Sequence, residues 1–502
     1  MNRTASPEKG EKALFTTKSL YTKSGFQVNQ NIEWTILSDD QCEDIYMTAL
    51  ELLERTGADV FSAEAREVFA KNGCYVKENR VRIPSGKIQK ALTNAPKRLT
   101  LCDRNGKRAM MLESGNIHYG PGYGNEKIMD METEEIREAT KADVADIAKI
   151  CGGIDDIDFV MNNGIPSDVP AAAAEVHSYE ALVSNTIKPV IQEVKNKIQA
   201  EAVMEMAFTV AGSAEAFCLD PFTALLVENE ESLSIDATAA DVVIEAAEKG
   251  FPVIFSSKLV TGLTAPQESA GAIVCALANA LVAITLAQMV ASGAPVIAGG
   301  CFTIDDVANE TFPIGAPEVS LLGAGLSAVL GYLNIPCFGF GGATDAKISD
   351  AQMGLESTFS LLHAGLSGTN VISGAGQMET GEYGSAFLLV MASEVMGMTR
   401  RIMKGVAMDE DRLARGVIDD VQPGGHYLGS PHTRYYFKKE QFWPKLMNRA
   451  RIDDWTAAGA KTLGQRTMEM TKSILAMAEP EALPAETVAA LKDIVAKAEA
   501  KR

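Results

Sequence analysis

The chain has 502 residues, and its 66 acidic and 46 basic side chains give a formal net charge of −20. This balance argues against nucleic acids and anionic membranes as partners and mildly favours cationic ligands. The eight cysteines are scattered and form no C-x-x-C pair, which is typical of reduced thiols in a cytoplasm. Local spacing therefore predicts no zinc site, although ligands from distant loops could still assemble one.

The first part of the chain is predicted to be a tail followed by a small cap. Residues 1–37 are polar, lack the apolar core of a signal peptide and are expected to be flexible. Residues 38–115 should form the cap, whose first helix begins at a capping Asp39 or Asp40 and runs to about Thr56. Its other predicted elements are the helices Ala63–Asn72 and Ser85–Asn94 and the strand-like Tyr75–Ile83.

Residues 116–405 repeat a pattern of short apolar run, loop and helical stretch. The runs have strand length and are Ile117–Gly120, Asp158–Asn162, Pro189–Val194, Thr223–Val227, Pro252–Phe255, Pro295–Ala298, Pro336–Phe340 and Asn370–Ser373. Strands that alternate with helices pair in parallel. The sequence therefore predicts an α/β fold, a (β/α)8 TIM barrel with an N-terminal helical cap and a C-terminal helical extension.

One stretch of the predicted barrel allows two interpretations. No Asp, Glu, Lys or Arg occurs from Ser269 to Ile304, which is long enough for a membrane span. However, the stretch carries Asn279 and Gln288 and is broken by Gly293 and Pro295. A buried barrel helix that runs into the sixth strand is the favoured interpretation.

The C-terminal part is predicted to be helical. Helices are expected at Tyr383–Lys404 and Asp409–Asp420, and residues 406–502 should form an extension that packs on the barrel. Within it, residues 422–455 are rich in aromatic side chains, which are common anchors at protein interfaces. This segment either packs on the barrel itself or binds a partner protein.

Barrel enzymes place their chemistry in the loops after the strands, where this chain offers mainly aromatic and acidic groups. Aromatic faces bind quaternary ammonium ions by cation–π attraction, and nearby carboxylates add to it. Alternatively, Phe255 and Phe340 fill the barrel interior, and Glu193 and Glu228 pair with arginines. The candidate substrate-binding residues are Tyr119, Tyr123, Glu193, Glu228, Phe255, Phe340, Asp345, Lys347, Gln352 and Gln377.

Several motifs spread over the chain carry a family resemblance. They are GLTAP (262–266), GAPVI (293–297), APE (316–318), GGATDAKISDAQMGLE (341–356), SGAGQMETG (373–381) and GGHYLGSPHTRYYF (424–437). With these motifs the chain resembles the trimethylamine methyltransferase family of corrinoid-dependent enzymes, in the large branch that lacks pyrrolysine.

The resemblance implies a homo-oligomeric barrel that transfers a methyl group from a quaternary amine such as a betaine to cob(I)alamin, and the cysteine pattern places it in the cytoplasm. A separate corrinoid protein should supply this cofactor, because no D-x-H-x-x-G motif surrounds any histidine and no cofactor is expected in this chain. A quaternary nitrogen leaves as a neutral amine, so no acid or base residue is assigned and no metal is expected. Lys347, near the suspected pyrrolysine position, His177 or backbone N–H groups could bind a substrate carboxylate.

Two alternatives stay open at this level. One is a catalytically silent betaine-binding sensor that interacts with a corrinoid protein without turnover. The other is a barrel lyase or hydrolase that acts on a cationic metabolite with one of the carboxylates as its base. A barrel alone does not distinguish them, because this fold supports many chemistries.

Overall fold

A computed structural model of the protein describes residues 34–113, 115–131 and 133–500, so most of the predicted tail lies outside the described residues. Trp34 is described, and its ring packs edge-on against His363 with the centroids 4.5 Å apart. The described residues up to Thr399 and from Pro444 onward form one compact unit, and Arg400–Trp443 belong to another. The predicted domain boundaries stay predictions.

Between Trp34 and Glu113, the structure describes three helices and two hairpins, close to the predicted positions. Ser38, rather than Asp39 or Asp40, caps the first helix: its hydroxyl accepts from Gln41 N while the Gln41 side chain accepts from Ser38 N. The predicted strand Tyr75–Ile83 is a hairpin that reverses at Glu78, where φ is 54°. The elements are α1 Asp39–Arg55, β1 Ala58–Val60, α2 Ala63–Lys71, β2 Tyr75–Lys77, β3 Arg80–Arg82, α3 Ser85–Asn94, β4 Leu99–Cys102 and β5 Arg108–Leu112.

The central region alternates strands and helices. Its elements are β6 His118–Pro121, β7 Lys127–Met129, β8 Ile136–Glu138, α4 Lys141–Gly152, α5 Ala174–Asn185, β9 Val190–Glu193, α6 Lys197–Ala211, α7 Ala214–Leu219, β10 Thr223–Asn229, β11 Ser234–Ile235, α8 Ala237–Lys249, β12 Val253–Thr261, α9 Ser269–Val290, β13 Val296–Ile304, α10 Pro317–Tyr332, β14 Cys337–Phe340, α11 Ala351–Leu366, β15 Val371–Ala375, β16 Gln377–Met378, β17 Tyr383–Gly384 and α12 Ala386–Met403. Two of the barrel strands, β12 and β13, extend well beyond their predicted ends.

The protein is a (β/α)8 TIM barrel. A seven-stranded parallel sheet runs in the order β6, β15, β14, β13, β12, β10, β9. The predicted second strand, Asp158–Asn162, forms only one parallel bridge, from Val160 to Val190. Asp158 N donates to Tyr119 O at 2.7 Å, so this segment lies between β6 and β9 and closes the barrel.

Apolar side chains fill the barrel interior at the N-terminal end of the strands. A cluster of fully buried residues includes Ile191, Leu226, Ile254 and Ile297 from successive strands, together with Leu101 of the β4–β5 hairpin. Cys102 N donates to Pro221 O, just before β10, which places the hairpin at the N-terminal end of the strands. Apolar layers therefore plug this end and leave the opposite end open for polar groups.

The helix α9 accounts for the apolar stretch noted in the sequence. Its 22 residues are long and apolar enough for a membrane span, but 83% of its most apolar window is buried within the protein. It contacts β12 and β13 on one side and the cap helices α1 and α3 on the other. A helix covered on both sides needs no polar face, which confirms the buried-helix interpretation.

The C-terminal elements are α13 Arg415–Val421, α14 Pro431–Glu440, α15 Ile452–Ala457, α16 Leu463–Met477 and α17 Ala485–Ala500. The predicted helix Asp409–Asp420 is wrong in its first half, where Arg412 pairs with Asp409 in a turn. Within the unit Arg400–Trp443, the Lys439 ammonium lies 3.5 Å from the Tyr435 ring centroid. The helix α16 contacts α4, and α17 contacts α5 and α6.

The close pairing of β13 and β14 predicts a strong effect of a single methyl group. A Cβ at Gly299 would lie 2.1 Å from the backbone oxygen of Phe338, whereas a Cβ at Gly323 in α10 would contact nothing within 4 Å. We expect Gly299→Ala to lower the free energy of unfolding by roughly 3 kcal/mol or more, because backbone must shift. Gly323→Ala should raise it by about 0.5–1 kcal/mol. Urea unfolding midpoints measure the stability of both variants. A Gly299→Ala midpoint equal to that of the parent protein would contradict the close contact between Gly299 and the Phe338 backbone.

Candidate active site

A cavity of about 640 Å³ opens at the C-terminal ends of the barrel strands. Five of the predicted site residues line it: Tyr123, Glu193, Glu228, Phe340 and Gln377. They come from separate elements, since Glu193 ends β9, Glu228 lies near the end of β10 and Phe340 ends β14. The barrel thus brings together residues that are far apart in sequence, at the end where barrel enzymes carry their chemistry.

Strand alternation decides which side chains enter this cavity. Ile254 belongs to the interior cluster, so Lys258, four residues further along β12, points inward as well. Phe255 has the opposite orientation and packs, fully buried, in the cluster shared with the outer helices. Phe255 therefore does not line the cavity, which corrects its predicted placement.

Two further predicted site residues lie outside the cavity. The Tyr119 hydroxyl donates to Leu361 O at 3.2 Å in the layer between the sheet and α11. His177 lies on α5, where its Nε2 is 2.8 Å from Glu499 Oε1 and its Nδ1 is 3.1 Å from Lys141 Nζ. Tyr119 and His177 therefore hold elements together and are not placed to contact a substrate.

The predicted residues after β14 also lie away from the cavity. Asp345 accepts hydrogen bonds from Ile314 N at 2.9 Å and Gly315 N at 2.8 Å, and so positions Ile314, which lines the cavity. Lys347 is exposed, and its Nζ donates to Asp345 O at 2.7 Å. Gln352 is exposed on α11 and donates to Glu356. The segment between β14 and α11 therefore supports the cavity wall, but Asp345, Lys347 and Gln352 do not line the cavity.

Tyr123 connects the two sides of the cavity. Its hydroxyl donates to Glu228 Oε1 at 2.6 Å, and its backbone oxygen accepts from Gln377 Nε2 at 2.8 Å. A Cβ at Gly122 would lie 2.2 Å from Gln377 Cγ, so this turn needs a glycine to let the Gln377 side chain approach. Burial is the main reason why the pKa of Tyr123 lies well above its usual value, and the hydroxyl keeps its proton.

Glu193 has the most strongly shifted pKa among the carboxyl groups that line the cavity. Its Oε2 is buried and has no hydrogen-bond partner among the described residues. Burial, followed by repulsion from Glu228 and Glu175, raises the pKa of Glu193 to about 8. Glu175 lies behind it and accepts from Asn162 Nδ2 at 2.9 Å and from Gln192 Nε2 at 3.0 Å. A cation that binds beside Glu193 favours its ionised form, so Glu193 releases its proton as the cation binds and the carboxylate then attracts the cation.

The cavity is also lined by side chains that the sequence interpretation did not propose, among them Phe61, Lys195, Lys258 and Cys301. Lys258 and Cys301 follow from alternation once β12 and β13 are known to continue to Thr261 and Ile304. Burial raises the pKa of Cys301 to about 12, so its thiol is not a nucleophile at neutral pH. Phe61 comes from the cap, and no local sequence signal indicates its position. In the part of the chain that the structure describes, no group of three or more His, Cys, Asp or Glu is arranged to hold a metal ion.

The raised pKa of Glu193 predicts a pH-dependent effect of Glu193→Gln on stability. Between an unfolded pKa near 4.5 and a folded pKa of about 8, the folded protein holds a proton that the unfolded chain releases. The carboxyl group therefore contributes stability below pH 4.5 and loses it as the pH rises through 8. The free energy of unfolding of the variant, relative to the parent, should rise by up to about 1.4 kcal/mol per pH unit in this window.

Urea unfolding at pH 5, 6.5 and 8 measures this difference. Glu126→Gln makes the same change at an exposed glutamate and is the matched control, for which no such trend is expected. Parallel pH curves for Glu193→Gln and the parent protein would show that Glu193 is ionised throughout this range.

Comparisons with known proteins agree with this architecture. The family model for trimethylamine methyltransferase (MTTB) matches residues 8–502. A solved structure of the monomethylamine methyltransferase MtmB from Methanosarcina barkeri superposes with a TM-score of 0.52 over 92% of this chain and 93% of that chain. Their sequence identity is 13%, so this likeness concerns the fold alone.

Similarity to curated sequences extends over nearly the whole chain. Trimethylamine methyltransferase MttB from Desulfitobacterium hafniense (strain DSM 10664 / DCB-2) is 35% identical over 467 residues, which cover 92% of this chain and 93% of that protein. Glycine betaine methyltransferase from Desulfitobacterium hafniense (strain Y51) is 30% identical over 469 residues, covering 93% and 97%. The chain therefore belongs to the trimethylamine methyltransferase family and is a methyltransferase.

Proposed function

We propose that this methyltransferase takes a methyl group from a quaternary amine of the betaine type and transfers it to the cob(I)alamin of a separate corrinoid protein. The observation that carries the proposal is the acidic and aromatic cavity at the C-terminal end of the barrel, with Tyr123, Phe340, Glu193 and Glu228 in its wall. Aromatic faces and carboxylates together suit a cation that has no hydrogen to donate. The name of the glycine betaine methyltransferase from Desulfitobacterium hafniense supports the same substrate class.

The residues of the cavity fit a reaction that needs no proton transfer to the leaving group. When a C–N bond of a quaternary amine breaks, the electron pair stays on nitrogen and a neutral tertiary amine leaves. The reduced corrinoid of the partner supplies the nucleophile that accepts the methyl group. The sequence contains no pyrrolysine, which makes a neutral amine such as trimethylamine a poor candidate because its nitrogen would leave as an anion.

The cavity residues therefore act by binding and orienting the substrate. Positive charge disappears from the nitrogen as the methyl group is transferred, so Glu193 and Glu228 stabilise the bound cation more than the transition state. The rate advantage must come from orientation, with the methyl carbon held toward the open end of the barrel. Tyr123 contributes its ring to this binding site and its hydroxyl to the position of Glu228.

The proposal is tested by incubating the protein with reduced cobalamin and a panel of methylated amines while the Co(I) absorbance is followed. We expect quaternary amines to consume Co(I) and trimethylamine to leave it unchanged. The protein purified without any partner should be colourless, with no corrinoid spectrum. Demethylation of trimethylamine but of no quaternary amine would contradict the proposal. Product formation without any corrinoid would favour a lyase or hydrolase, and calorimetric binding without transfer would favour a sensor.

Substitutions at Tyr123 separate its two contributions. Tyr123→Phe removes the hydrogen bond to Glu228 but keeps the ring, whereas Tyr123→Ala removes both. One cation–π contact of about 0.5–2 kcal/mol corresponds to roughly 2- to 30-fold in affinity, so Tyr123→Ala should raise KM for the best quaternary substrate by about that factor. Tyr123→Phe should lie between Tyr123→Ala and the parent protein. An unchanged KM of Tyr123→Ala would remove this residue from the substrate site.

A further inference from the structure

Two lysines line the cavity, Lys195 and Lys258, and a purely cationic substrate would avoid their ammonium groups. Lys195 follows β9 with its Nζ 3.8 Å from Glu175 Oε1, whereas Lys258 lies on β12, between the strands that carry Glu228 and Phe340. We propose that Lys258 binds a carboxylate carried by the quaternary substrate and so makes the enzyme selective for zwitterions over simple cations. This inference rests on the proposed function and specifies which part of the substrate each wall of the cavity recognises. It replaces Lys347 and His177, which lie outside the cavity, as the carboxylate-binding residue.

Strand register places Lys258 between the acidic and the aromatic walls. Ser256 of β12 pairs with Glu228 of β10, and Lys258 lies two residues closer to the cavity mouth. On its other side Lys258 pairs with Cys301 of β13, and Phe340 stands on the next strand, β14. Two strand spacings correspond to roughly 10 Å, a gap that a lysine side chain and a small betaine span together. A substrate with its nitrogen between Phe340 and Glu193 can therefore reach Lys258.

The contacts of Lys258 leave its donors available. Its Nζ lies 3.7 Å from Glu228 Oε2 and 3.8 Å from Glu230 Oε1, beyond hydrogen-bond distance. Attraction from Glu228 is the main cause that raises the pKa of Lys258, so the group is charged at neutral pH. Its side chain is 48% exposed, and an ammonium group carries three donors. The two carboxylates fix its charge in the cavity without using up its hydrogen-bonding capacity.

Opposite, incompletely paired groups in one cavity favour a ligand with two charges. The free Oε2 of Glu193 attracts a positive group, while Lys258 repels it. A tetraalkylammonium ion gains the first interaction and suffers the second, whereas a betaine turns the second into a charge-assisted hydrogen bond. The simpler role for Lys258 is to offset the charges of Glu228 and Glu230. If that were its only role, replacing Lys258 would change the affinities for a betaine and for a tetraalkylammonium ion in the same way.

The test compares glycine betaine with tetramethylammonium, which carries the same charged nitrogen without a carboxylate. Calorimetric Kd values and KM are measured for the parent protein, Lys258→Met and Lys258→Arg. We expect Lys258→Met to weaken glycine betaine binding roughly 10- to 100-fold and to leave tetramethylammonium binding unchanged or tighter. Lys258→Arg should restore much of the betaine affinity. Equal losses for both ligands, or unchanged betaine affinity in Lys258→Met, would overturn the inference.

A matched control is Lys347→Met, which removes an exposed lysine outside the cavity and should leave both affinities as in the parent protein. Thermal unfolding of each variant checks that the fold is kept. The experiment distinguishes a failure of the proposed function from a failure of the role assigned to Lys258. If no quaternary amine binds the parent protein, the proposed function fails. If both ligands bind the parent protein equally well and Lys258→Met changes neither affinity, only the assignment of Lys258 fails.

Discussion

The period-two alternation of side chains along a closed parallel sheet decides where the functional groups of this protein lie. Each strand sends every second side chain into the barrel, so a one-residue difference separates the cavity from the outer helix layer. On β12 this rule directs Ile254 and Lys258 inward and Phe255 outward. The same rule places Glu228 and Cys301 in the cavity wall. The chemistry of the site therefore depends on which position of each strand points into the barrel as much as on the residue types themselves.

Closure of the barrel also changes the electrostatics of the site. Burial within the barrel wall removes hydration and raises the pKa of Glu175 to about 7. For Glu193, burial and then repulsion from Glu228 and Glu175 raise the pKa to about 8. A cation that enters the cavity replaces the missing hydration of Glu193 and interacts with Glu228. Under the proposed function, substrate binding offsets the free-energy cost of burying these carboxyl groups in the folded protein.

The cap is part of the same unit as the barrel. Its strand β1 pairs in parallel with β11, in the segment after the barrel strand β10, and Phe61 follows directly in the cavity wall. Its helices α1 and α3 cover the apolar outer face of α9, which would otherwise expose a long hydrophobic surface. The cap therefore solves a packing problem on the outside of the barrel and contributes an aromatic side chain to the mouth of the cavity.

The sequence by itself determined most elements of the barrel and the class of the fold, because apolar periodicity and helix caps are local properties. It located α3 to the residue, found the seven paired barrel strands and gave Tyr123, Glu193, Glu228, Phe340 and Gln377 as site residues. It could not separate them from Tyr119, His177 and Phe255, whose partners lie on distant elements. The tertiary structure alone decided that Lys258, rather than Lys347, faces the cavity. The reason is that β12 extends beyond its apolar part, and only the hydrogen-bonded register with β13 carries the alternation as far as Lys258.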